Sequence, residues 1–169
     1  MPVRPLSEPL ALKAQTELNE VPERIEEDLN ALKTWIGKQP HLRARTDDQF
    51  LVGFLRGCKY SLEKAKKKMD LYYSCRTNFP DFVTNRDPLF DKNLYFIRLG
   101  GWLPLPNTIT PDGARISLVR LEICDPTKID IVDIIRFAAM INDILILDDQ
   151  WTVGGGVSSF FICFSFIFG

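Results

Sequence analysis

Histidine is almost missing from this 169-residue chain, with His41 alone, and its four cysteines, Cys58, Cys75, Cys124 and Cys163, stand far apart with no Cys-x-x-Cys pair. That scarcity excludes the usual zinc ligand sets and a disulfide framework. Neither sign of charge dominates. The chain has 21 Lys and Arg against 22 Asp and Glu, so no global field draws nucleic-acid phosphates to it, and no nucleic-acid partner is expected. Long hydrophobic runs are also lacking: the most apolar stretch, residues 157–168, is 12 residues long, where a membrane span needs about 20. Residues 1–20 carry charges and no apolar run of the signal-peptide kind, which makes the reducing cytoplasm the expected compartment. Catalytic constellations are equally scarce. His41 follows Pro40 in a polar linker with no partner in view, and Gly154-x-Gly156 lacks the third glycine of a dinucleotide fingerprint. Asp148 and Asp149 point apart if helical and read as a solvated helix end. The expectation is a protein that is no enzyme and carries no cofactor or metal.

The remaining composition, 46% hydrophobic and 25% charged, is that of an ordinary globular chain. A chain of this length buries roughly 70% of the surface its unfolded form exposes, so a core needs no staples. Residues 1–19, with Pro2, Pro5 and Pro9, read as a loose arm leading into a weak helix over 11–19. Pro22 in a first turn, then Glu23, Glu26 and Glu27, then Ile25, Leu29, Leu32 and Ile36 at helical spacing, predict a helix ending near Gly37. Thr46 and Gln49 have capping-box spacing before a short helix to Gly57, with Phe50, Leu51, Phe54 and Leu55 on its apolar face and Arg56 complementing its dipole. Ser61 then caps a helix that Pro80 stops, with Leu62, Ala65, Met69, Tyr72 and Phe79 on one face.

Beyond Pro88 the character changes. Residues 94–99, rich in aromatic and branched side chains, read as a strand, and Pro104, Pro106 and Pro111 as a loop into a Pro111-Asp112-Gly113 turn. Residues 115–123 alternate, with Ser117, Val119, Leu121 and Ile123 on the buried side. Residues 131–147 form a helix apolar nearly all round, which either packs on a sheet or lines a cavity. Thr152 and Val153 begin a further strand that Gly154, Gly155 and Gly156 break. The fold class is α/β: an all-helical N-terminal lobe over 20–88, then an α/β lobe over 89–156.

Three features resemble a known family when taken in order: Asp47-Asp48-x-x-Leu51-x-x-Phe54-Leu55-Arg56-Gly57-x-Lys59-Tyr60-x-x-Glu63-Lys64-Ala65, continued by Tyr72, Tyr73 and Arg76; Pro104-Leu105-Pro106; and Thr110-Pro111-Asp112-Gly113 with Arg115, Arg120, Asp125-Pro126 and Arg136. The chain resembles the CRAL-TRIO lipid-carrier family, in its tocopherol-carrier and clavesin-like branch, over residues 20–153. The resemblance implies a helical N-lobe followed by a lobe whose sheet and helices enclose one hydrophobic lipid of tocopherol, retinoid or phosphoinositide type, with transient contact at an anionic membrane surface. It stops near Gly154. Residues 157–169 do not resemble the family, so the lipid-binding lobe is expected to be C-terminally incomplete and its ligand binding impaired. The candidate apolar wall is Ile134, Phe137, Ala138, Ile141, Asn142 and Leu145, whose competing reading is plain core packing. Asn142 is expected to meet a backbone group or a ligand hydroxyl. Lys59, Lys66, Lys67 and Lys68 are the candidate headgroup contacts, against the alternative of a solvated face. Arg120 and Arg136 have Glu122 and Asp133 as available ion-pair partners. The alternative function is a helical protein-interaction module with no ligand of its own.

Overall fold

A computed structural model describes residues 2–84, 86–120, 125 and 127–161. These divide into two compact units, Met1–Phe79 with Asp143–Gly154, and Pro80–Asn142 with the residues from Gly155 onward.

The first unit is helical. Helix α1 (Glu8–Leu18) ends where Asn19 turns left-handed, and its N–H groups at Ala11 and Glu20 close the two ends onto Ser7 and Ala14. A single 3-10 turn at Pro22–Arg24 feeds α2 (Ile25–Gly37), whose first turn carries Glu26, Glu27 and Asp28, where the helix dipole favours acids. Leu29, Leu32 and Ile36 form its buried stripe. Helix α3 (Asp48–Gly57) is buried from Gln49 to Arg56, and α4 (Leu62–Asn78) covers it with Ala65 and Met69. The core of the unit is these side chains together with Phe50, Leu51, Phe54 and Leu55, against which Ile146 and Leu147 also pack. Phe50, Phe54 and Tyr72 meet edge to face, with ring centroids 5.2 to 5.9 Å apart. Helix α7 (Asp149–Gly154) packs against α1 and α3. At Gly53 an added Cβ would stand 2.6 Å from the Ile146 carbonyl oxygen, so only glycine permits this approach.

Several expectations are corrected here. The cap of α3 is Asp47, whose carboxylate accepts from the Phe50 N–H at 3.3 Å; the Thr46 capping box is absent because Gln49 turns its amide elsewhere. Phe79 leaves the buried row of α4 and stays 54% exposed, since the chain turns off the helix there. Thr152 and Val153 belong to α7 rather than to a strand. Asp148 explains it, accepting from the Gln150 N–H through its side chain and from the Thr152 N–H through its carbonyl.

The second unit holds a three-stranded sheet in the order β1-β2-β3. Residues 94–99 are helical, inside α5 (Asp91–Leu99), because Asn93 and Phe96 bury one face at helical spacing and Gly100, at φ +68°, closes the end. The Gly101 N–H returns to the Phe96 carbonyl at 3.1 Å, and a Cβ there would overlap the Phe96 ring. Strand β1 (Trp102–Ile109) occupies the expected loop, its prolines tolerated at a sheet edge where no donor is required. Its register, Trp102 with Val119 and Pro104 with Ser117, runs antiparallel to β2 (Arg115–Arg120) and is broken before Ile109. The Thr110–Ala114 turn, with Gly113 at φ +87°, joins the two strands.

In β2, Ser117 and Val119 are buried as the alternation requires, while Leu121 and Ile123 lie outside the described residues. Strand β3 (Gly156–Phe161) pairs in parallel with β2 along all six residues. Helix α6 (Ile131–Leu145) lies between β2 and α7 in the chain. The architecture is therefore a helical N-terminal part followed by a mixed α/β part.

Candidate functional site

The apolar wall is built from three elements of the second unit. Phe137 of α6 meets Phe96 of α5 edge to face, with centroids 4.6 Å apart at 68°, and Ile129, Ile134, Ile141 and Trp102 of β1 close around the pair. Of the expected wall residues, Ile134, Phe137 and Ile141 come together in this cluster. Ala138 is half-buried, and Asn142 is exposed, its amide donating to the Ala138 carbonyl at 3.0 Å. Leu145 is buried in the first unit instead. The side of α6 carrying Ile131 and Ile135 is open, at 66% and 41% exposure.

Two polar atoms interrupt the apolar lining. Trp102 Nε1 and Ser117 Oγ are buried with no hydrogen-bond partner among the described residues. Trp102 stands opposite Val119 and Pro104 opposite Ser117, so strand alternation puts both orphans on one face of the sheet, two residues apart along the strands. Few buried polar groups in proteins are left unpaired, and such an atom gains from any ligand oxygen that reaches it.

The charged groups nearby are already engaged. Arg136 donates to Asp133 at 2.7 Å and twice to the Asp81 carbonyl, at 2.8 and 3.0 Å, which realises the ion pair that the sequence offered. Burial raises the Asp133 carboxyl, but bonds from Lys92, the Asp130 N–H and Arg136 outweigh it and hold the group below the usual range.

The candidate headgroup lysines sit in the first unit. Lys59 is exposed and left-handed, at φ +51°, followed by Tyr60 at φ +58°. Two successive residues in that region cost roughly 1 to 2 kcal/mol each, offset here by Tyr60 Oη donating to Glu20 at 2.8 Å. Lys66 is half-buried and paired with Glu63 at 2.7 Å, whereas Lys67 and Lys68 are exposed. Glu63 is held low by that partner. Lys64, exposed on the same helix, lies with Lys68 close enough to Cys58 to oppose the upward push of burial on its thiol.

Arg56 stands in the last turn of α3, as its dipole role requires, but it does more than complement the dipole. It is 1% exposed, and donates to Glu20 at 2.8 and 3.3 Å and to Asp149 at 2.8 Å. Asp149 also accepts from Gln49 at 2.8 Å and pairs with Arg4 at 3.2 Å, so it is no solvated helix end. Arg4 and Gln49 both donate to the Leu147 carbonyl as well. This network was illegible because Asp149 lies 93 residues from Arg56; the available signal was an arginine inside an otherwise apolar helix. His41 is exposed, and its Nε2 meets Asp70 at 2.9 Å. A groove of about 590 Å³ runs between the N-terminal arm, α1 and α2, lined by Val3, Ala11, Ile25 and Leu29 among charged neighbours. Among the described residues no group of three metal-ligating side chains converges, and no helix is long and apolar enough to cross a membrane.

The helices from α2 into α5 match a family model described as Pinta-like, UBA domain, over residues 21–93. Across 151 residues, 89% of this chain, the sequence is 32% identical to the alpha-tocopherol transfer protein-like protein of Homo sapiens and 31% identical to that of Mus musculus, covering 43% of each. Clavesin-2 of Homo sapiens is 27% identical over 149 residues, 86% of this chain and 44% of that protein. The chain thus spans less than half the length of the curated relatives it matches. Relatives matched across nearly the whole chain, a helical part followed by an α/β part, and the Phe54-Leu55-Arg56-Gly57 and Thr110-Pro111-Asp112-Gly113 segments in that order place the chain in the CRAL-TRIO family.

Proposed function

We propose that the chain is a non-enzymatic module that binds and transfers a hydrophobic lipid, and that the wall formed by α5, β1 and α6 takes the ligand. The observation that carries this reading is the pairing of an apolar surface, Phe96, Ile134, Phe137 and Ile141, with two orphaned polar atoms, Ser117 Oγ and Trp102 Nε1, on the adjoining sheet face. Ligand pockets have this composition: mostly apolar walls with a few polar groups that fix one end of the ligand. A tocopherol or retinoid has the matching form, an apolar body and a single oxygen-bearing end. Transfer to and from a bilayer requires contact with its surface, and Lys59, Lys67 and Lys68 are exposed to meet an anionic one. The names of the relatives support a lipid of tocopherol type.

A drug-sized ligand normally has about 70 to 90% of its surface buried, and the wall that the described residues form supplies one side of that enclosure. Mass spectrometry of an organic extract of the purified chain tests the reading. A stoichiometric apolar ligand, or saturable equilibrium binding of labelled tocopherol or retinoid that leaks on gel filtration, supports it; absence of both sinks it and favours the protein-interaction alternative.

A further inference from the structure

The outward face of α4 joins lysines that the carrier reading uses to an exposed apolar side chain that it does not. Lys64, Lys67, Lys68, Leu71 and Cys75 follow one another at i, i+3, i+4, i+7 and i+11, opposite the buried Ala65 and Met69, and all five are exposed. Residues 59–68 contain five lysines and a single acid, Glu63, which Lys66 engages at 2.7 Å. One turn past the lysines Leu71 is 61% exposed, and Phe79, 54% exposed, follows where the helix ends. In a chain of net charge -1 this cationic surface is local: α4 carries two acids, Glu63, which is paired, and Asp70, which pairs with His41 off the row.

We propose that this face of α4 docks onto an anionic lipid bilayer, with Lys64, Lys67 and Lys68 on headgroup phosphates and Leu71 entering the interface beside them. Lysine suits the task because its long stem lies along apolar surface while the ammonium stays in the headgroup layer. The charge of the row selects the occupant: an apolar protein groove has no use for three ammonium groups around one leucine, and a nucleic acid has none for Leu71. A helix of 17 residues, about 25 Å long, is suited to lying in the interface plane. Lys66, an expected headgroup contact, is replaced in this role by Lys64, because its ammonium is held by Glu63 to the side of the row.

The docking surface rests on the carrier reading for its purpose, and the two fail separately. The full chain is sedimented with vesicles of phosphatidylcholine alone and with vesicles also containing phosphatidylserine, with an environment-sensitive fluorophore on Cys75. Binding should require phosphatidylserine and shift the fluorophore emission to the blue. Replacing Lys64, Lys67 and Lys68 together by Gln should reduce partitioning on the order of 100-fold, and Leu71→Ser about tenfold, with the leucine effect surviving at high salt where the lysine effect is screened. All four positions are exposed, so circular dichroism should be unchanged. Equal binding to phosphatidylcholine alone, or indifference to both sets of substitutions, overturns the proposal. So does a Leu71→Ser variant whose only change is loss of self-association, which would make a second copy the occupant. A chain that docks through α4 yet yields no lipid on extraction overturns the carrier reading and leaves the docking surface standing.

Discussion

Both units of this chain pair their buried arginine, Arg56 in the first and Arg136 in the second, but the second also leaves uncharged buried polar atoms without a partner among the described residues. In the first, Arg56 is buried and engaged through all three of its nitrogens, with Glu20 and Asp149 as partners and Tyr60, Gln49 and Arg4 closing the circuit. In the second, Ser117 Oγ and Trp102 Nε1 are buried and unpaired, and α6 leaves Ile131 and Ile135 open. A satisfied buried network fixes a structure, whereas orphaned polar atoms in an apolar wall are a standing cost that a ligand can remove. The contrast is what the proposed ligand site in the second unit rests on.

Substitutions should expose that difference, beginning with the largest effects. Arg56→Met strands the Glu20 and Asp149 carboxylates and should cost about 3 to 5 kcal/mol, as should Phe54→Ala through the cavity it leaves; denaturant melts of the full chain measure both. Gly53→Ala drives a methyl against the Ile146 carbonyl, and overpacking of that kind costs about 1 to 3 kcal/mol. If these three leave the melts unchanged, the first unit is not packed as described.

The second unit should respond to acid. Asp133 is held below its unfolded value near 3.9, so its contribution to stability is present above that pH and is lost as pH falls through the folded value. An acid titration followed by near-ultraviolet circular dichroism should show this loss in the native chain, and Asp133→Asn should remove it. Ser117→Ala deletes an unpaired hydroxyl and should change stability by less than about 1 kcal/mol, while weakening lipid binding. Ile135→Ser, on an open face, should shift stability by less than about 0.5 kcal/mol. A large loss from Ser117→Ala would mean that its hydroxyl is engaged and that the contrast between the units does not hold.

Periodicity decided what could be read from the sequence. Helices α2, α3, α4 and α6 were legible because apolar residues recur at helical spacing, and β2 because Ser117 and Val119 alternate with half-exposed neighbours. Residues 94–99 misled because aromatic and branched side chains suggest a strand, while the helix is set by the Asn93 and Phe96 spacing and the Gly100 terminus. Strand β1 was hidden by Pro104 and Pro106, which an edge position permits. Among the wall residues, Ile134, Phe137 and Ile141 followed from the stripe of α6. Ser117 and Trp102 did not, because an unpaired polar atom is a property of packing that one strand's pattern cannot carry. The Arg56 circuit was lost for the related reason that its acids come from distant parts of the chain.

Photo-crosslinking locates the bound lipid on the chain. A diazirine-bearing tocopherol or retinoid, equilibrated with the full chain and irradiated, labels the residues that contact it, and peptide mass spectrometry locates them. Adducts are expected on α5, β1 and α6, centred on Phe96, Trp102, Ile134 and Ile141, with labelling reduced by Ser117→Ala. Adducts confined to the groove around Val3, Ala11 and Ile25 of the first unit, or no saturable labelling at all, would contradict the proposed site.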